Sequence, residues 1–137
     1  MRPIGISVLF TVLLATASGQ QGKPDFSGKW QSADGSEKAV TLDIQQKNGS
    51  IHVVRTSQSG GKDSKFEFNC TTDGKDCEVA GTKVSLWYEG SSLVEMDVSD
   101  AAVLTTKLTL DSPGSISVTV THMSPKADKE NFVLRKI

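Results

Sequence analysis

Val40-Thr41-Leu42-Asp43-Ile44-Gln45-Gln46-Lys47-Asn48-Gly49-Ser50-Ile51-His52-Val53-Val54-Arg55-Thr56 is the stretch that decides the fold. Val40, Leu42 and Ile44 alternate with Thr41, Asp43 and Gln45, the two-residue period of a strand with one buried face. Asn48-Gly49 then reads as a hairpin turn, because both residue types accept positive φ. The return run places Ile51, Val53 and Arg55 on one face, and His52, Val54 and Thr56 on the other.

The same pattern continues outward. Ser59-Gly60-Gly61-Lys62-Asp63 reads as a looser turn, after which Phe66, Phe68 and Cys70 share a face up to Asp73-Gly74. A short run through Cys77 and Val79 reaches Gly81, and Val84, Leu86 and Tyr88 follow before Glu89-Gly90-Ser91. Val94, Met96 and Val98 are expected as the next inward face, then Leu104, Thr106, Leu108 and Leu110 up to Asp111-Ser112-Pro113-Gly114. Ile116, Val118, Val120 and His122 lead to Ser124-Pro125-Lys126-Ala127 and a last strand over 131–137. Nothing convincing has helical period. The reading is all-β, with about 8–10 antiparallel strands joined by hairpins. An open sheet of that size would expose an apolar face and two edges, so an up-and-down barrel is favoured over a two-sheet sandwich.

Met1-Arg2, an apolar run from Ile4 to Ala15 and the small residues Ala15-Thr16-Ala17-Ser18-Gly19 make a secretory signal peptide over 1–19. The run is too short to span a bilayer, and Ser7 and Thr11 interrupt it. Cleavage after Gly19 fits best, with cleavage after Ala17 as the alternative. Residues 20–25 read as a flexible leader and 26–137 as the barrel. A secreted or periplasmic product follows, without a membrane anchor after cleavage.

The 137-residue chain carries 15 Lys and Arg against 16 Asp and Glu, a net charge of -1. That balance argues against nucleic acid as a partner, since such binding relies on bulk positive charge. Cys70 and Cys77 are the only cysteines, and in an exported chain a pair this close is expected as a disulfide. A hairpin about Asp73-Gly74 would set them opposite one another. His52 and His122 lack metal-ligand spacing, so no metal or cofactor is expected. There is no Gly-x-Ser-x-Gly elbow, no phosphate loop, and no carboxylate that clearly breaks an apolar face. Nothing points to an enzyme. Asn48-Gly49-Ser50 and Asn69-Cys70-Thr71 match the glycosylation pattern, but the turn already explains Asn48.

Phe26-Ser27-Gly28-Lys29-Trp30 opens the first strand, and Gly-x-Trp at that place resembles the lipocalin-like proteins. The wider string Pro24-Asp25-Phe26-Ser27-Gly28-Lys29-Trp30 looks like the opening of secreted bacterial proteins with lipocalin-like domains. The resemblance implies that Gly28, Trp30 and Arg135 close the barrel: the indole plugs one end and the arginine packs across it. Two departures stand out, the lack of a helix after the last strand and of a helical lid.

Two functions follow as expectations. One is a carrier of a small hydrophobic ligand, with Arg55, Phe66, Phe68, Leu86 and Tyr88 as candidate lining residues. An inward Arg55 needs an anionic partner, which a ligand carboxylate could supply; the bland alternative is an arginine reaching water at a strand end. The other is an exported protein-binding module, such as a protease or lysozyme inhibitor, acting through its loops. A void above roughly 300 Å3 would favour the carrier.

Overall fold

The computed structural model describes residues 23–32, 39–59 and 61–137. The expected signal over 1–19 lies outside them. Ten strands are present: β1 (Gly28–Ser32), β2 (Ala39–Lys47), β3 (Ser50–Ser59), β4 (Lys62–Thr71), β5 (Cys77–Val79), β6 (Thr82–Glu89), β7 (Ser92–Val98), β8 (Val103–Ser112), β9 (Ser115–Ser124) and β10 (Asp128–Lys136). None of the described residues is helical.

The sheet order is β4-β3-β2-β1-β10-β9-β8-β7-β6-β5, so every neighbour is a sequence neighbour except where β1 meets β10. First and last strands join at Trp30 opposite Lys136 and Ser32 opposite Leu134. The sheet has thus curled until its ends in sequence meet. β4 and β5 share no ladder; instead the Cys70–Cys77 disulfide spans the seam, with Cα atoms 5.9 Å apart. An isolated bridge between Asp73 and Trp87 and a bond from Gly74 N to Leu86 O (2.9 Å) fasten the same edge. The cysteines therefore join two sheet edges rather than two legs of one hairpin. This is an up-and-down antiparallel barrel, all but closed.

Several turns differ from expectation in detail. The β3–β4 ladder runs out to Ser59 opposite Lys62, further than the expected turn over 59–63 allowed. Only Gly49 of Asn48-Gly49 has positive φ, whereas Ala80 (48°) and Gly81 (82°) are both left-handed. That pair fits the primed two-residue turns of hairpins, which match strand twist.

The larger correction concerns β7. Gly90-Ser91 is a two-residue turn that sets Glu89 opposite Ser92 and hence Tyr88, Leu86 and Val84 opposite Leu93, Glu95 and Asp97. Facing residues in an antiparallel pair lie on the same side of the sheet. With Leu86 and Val84 inward, Leu93, Glu95 and Asp97 point inward too, and Val94, Met96 and Val98 point out. Trp87, opposite Val94, shares that outer face.

The strand directions give the barrel two unlike ends. At one end Phe26, Trp30, Ile51, Val84, Ile116 and Leu134 are fully excluded from solvent and form a continuous apolar mass with Ile44, Phe68 and Cys70. β1 and β3 end and β2 and β4 begin at the other end, where the β7–β8 and β9–β10 connections also lie.

Candidate functional site

The closed end begins with glycine. Gly28 has φ of +136°, and a Cβ there would lie 2.6 Å from Lys136 Cε. Its bare backbone leaves a path for the Lys136 stem, which carries Nζ to 5.5 Å from the Trp30 ring centroid. Lys136 therefore occupies the place across the indole that the family resemblance gave to Arg135. The register explains the shift: Trp30 faces Lys136, while Arg135 faces Gln31 and is exposed. An ammonium above an indole is favourable, though it lacks the planar stacking a guanidinium offers.

Below the ring, Trp30 Nε1 donates to Phe26 O at 2.9 Å, so the buried indole leaves no donor unpaired. Gln46 ties the chain down: its Nε2 donates to Pro24 O (2.9 Å), and its Oε1 accepts from Phe26 N (2.8 Å). The last residues of the expected flexible leader are thus part of the plug. Tyr88 belongs here as well, with Lys23 Nζ 4.8 Å from its ring centroid and Gln46 hydrogen-bonded to its hydroxyl. Burial raises its pKa above the usual tyrosine value. Tyr88 is a closed-end residue and does not line the interior space.

Above this plug the barrel holds a cavity of about 370 Å3. Its floor and walls are largely apolar, from Ile44, Val53, Phe68, Leu86, Leu108, Val118 and Leu134, among others. Of the sequence candidates, Arg55, Phe68 and Leu86 line it. Phe66 does not; its ring lies 5.3 Å from the Arg55 guanidinium and 5.7 Å from the Phe68 ring, supporting both from the side.

Arg55 keeps partial access to water but does not wait for an anion. Its Nη1 donates to Glu95 Oε1 (3.2 Å) and Oε2 (3.3 Å), and its Nη2 lies 3.6 Å from Asp97 Oδ2. The guanidinium from β3 thus crosses the lumen to two carboxylates on β7. Burial alone would lower its pKa, but the two carboxylates outweigh that and raise it.

Asp97 is pushed up to about 8, first by burial, then by hydrogen bonding and repulsion from Glu95; Arg55 only partly opposes this. At neutral pH Asp97 therefore holds a proton, a common outcome when two carboxyl groups share one site. Asp97 is 8 % exposed, and its Oδ1 is buried with no hydrogen-bond partner. Glu95 and Asp97 were missed from the sequence because their strand's apolar alternation was assigned to the wrong face. The two-residue turn at Gly90-Ser91 carried the missing register.

Ser57, Thr106, His122 and Glu130 complete the polar lining. His52 is on the outer face, 2.8 Å from Glu67. Among the described residues no group of three or more His, Cys, Asp or Glu side chains could hold a metal ion.

Comparison of this backbone with solved structures finds the same barrel repeatedly. The wild-type fluorescent protein UnaG superposes with a TM-score of 0.62 at 19% identity, covering 82% of this chain and 97% of that one. The fold is a lipocalin-like β-barrel. The REP1-NXSQ fatty acid transporter matches at 0.61 and 12% identity (82% and 96% covered). A secretary abundant heat soluble protein from Ramazzottius varieornatus matches at 0.61 and 13% identity (82% and 95%). No family model matches the sequence, and neither does any curated protein. These identities establish the fold and nothing finer.

Proposed function

We propose that this protein is an exported, non-enzymatic barrel that carries a small hydrophobic ligand. The observation that carries the reading is the 370 Å3 cavity, walled mostly by apolar side chains and floored by a sealed end. That volume lies within the ~300–1,000 Å3 range of small-molecule sites. A lumen meant only for stability would be filled to interior density. One of the similar barrels is a fatty acid transporter, which fits the same use of the architecture. The disulfide between sheet edges and the signal-like N-terminus support export.

Native mass spectrometry of protein purified from its own host tests this. The expected result is a chain beginning at Gln20 that carries an apolar adduct, lost on denaturation. Bare protein, unchanged after incubation with the host's own lipid extract, would contradict it.

A further inference from the structure

We propose that the cavity is built for an amphipathic cation, an apolar molecule bearing a protonated amine that sits against Asp97 Oδ1. The inference rests on the carrier reading and names its ligand class. Asp97 Oδ1 is a buried acceptor with no partner, on a residue that lines the cavity. A buried acceptor left unpaired is costly, and an N–H donor from a ligand removes that penalty.

The balance of charge in the lumen points the same way. Among the described residues lining the cavity, Arg55 is the only lysine or arginine, against the carboxyl groups of Glu95, Asp97 and Glu130. Its guanidinium is already engaged by two of them. A carboxylate head would meet a cation already engaged and crowded by acidic side chains, so the site disfavours fatty acids. An ammonium head would meet the acids, with Phe68, Leu86 and Leu104 left for its apolar body.

Seating the ammonium expels the Asp97 proton to solvent, and the carboxylate left behind pairs with the cation. Around Asp97 the charged or titratable groups are Arg55 from β3, Glu95 on β7, His122 from β9 and Glu130 from β10. The flanking β6 and β8 present Val84 and Leu104 opposite it. Binding of a cation whose charge does not titrate therefore strengthens between pH 7 and 9.

Calorimetric titration with decylamine, decanol and decanoate at pH 7, three heads on one tail, tests the proposal. Decylamine is expected to bind at least about tenfold more tightly than decanoate, with proton release detected in buffers of different ionisation enthalpy. Asp97→Asn should bring decylamine down to the affinity that decanol shows for the same variant. Decanoate binding as tightly as decylamine, in the wild-type protein alone, overturns the proposal whether or not the variant folds. So does an amine preference that survives in folded Asp97→Asn. Decanol binding without amine preference would sink only this inference, whereas no binding of any of the three would sink the carrier reading as well.

Discussion

The two ends of this barrel are made from the same alternating strands and put to opposite uses. At the Trp30 end the buried polar groups of the plug are paired: the indole N–H goes to Phe26, and Gln46 serves Pro24 and Phe26. At the open end a guanidinium and two carboxylates share the lumen, and one carboxylate oxygen is left over. Apolar closure is where such a domain gets its stability. An interior charge cluster is a poor source of it, because the cost of desolvating the charges offsets their attraction. The contrast assigns the fold's stability to the closed end; on the proposed carrier reading the open end is the part left for binding. Substitutions should divide the same way.

The largest effect is expected at the plug. Trp30→Ala empties a fully buried site and should cost about 3–5 kcal/mol in urea unfolding. A loss under 1 kcal/mol would mean that the indole is not the cork. Next, replacing both Cys70 and Cys77 with serine should cost roughly 2–3 kcal/mol, the entropy of so short a loop, because it releases the β4–β5 seam. Gly28→Ala should cost about 1–2 kcal/mol, through its left-handed φ and the displaced Lys136 stem. A Gly28→Ala protein as stable as wild type would remove the account of Lys136 over Trp30.

The smallest stability effect belongs to the open end, and its sign depends on pH. Asp97 has a folded pKa raised to about 8, above its unfolded value near ~3.9. The folded state therefore binds the proton more tightly. This contribution to stability is complete below about pH 4 and is lost as pH rises through 8. Asp97→Asn, which cannot ionise, should flatten that slope and melt higher than wild type at pH 9, by a few degrees. Melting curves at pH 5, 7 and 9 check this; a parallel decline in both proteins would contradict it.

Much of the fold was legible in the chain. Alternation from Val40 to Ile44 and from Ile116 to His122, broken by glycine turns, was enough to give a meander that must close. The inward placing of Ile51, Val53 and Arg55 followed from the same period. Two kinds of information were harder to read. Along β7 both faces carry hydrophobics or tolerate them, Leu93 inward and Val94, Met96 and Val98 outward, so alternation alone left the face ambiguous. Only the turn length at Gly90-Ser91 settles it, and with it the acids that define the site. The exchange of Arg135 for Lys136 is the same kind of one-residue problem: side chains switch faces at each position, and register decides which cation meets the indole.

Decanol titrated into isotopically labelled protein, followed residue by residue through backbone and indole N–H signals, tests the division of labour most directly. Saturable shifts should gather at Arg55, Phe68, Leu86, Asp97 and Leu104, with the Trp30 indole signal unmoved. Changes centred on Phe26 and Trp30 or spread over the outer face, or none that saturate, would contradict a sealed floor beneath a binding lumen.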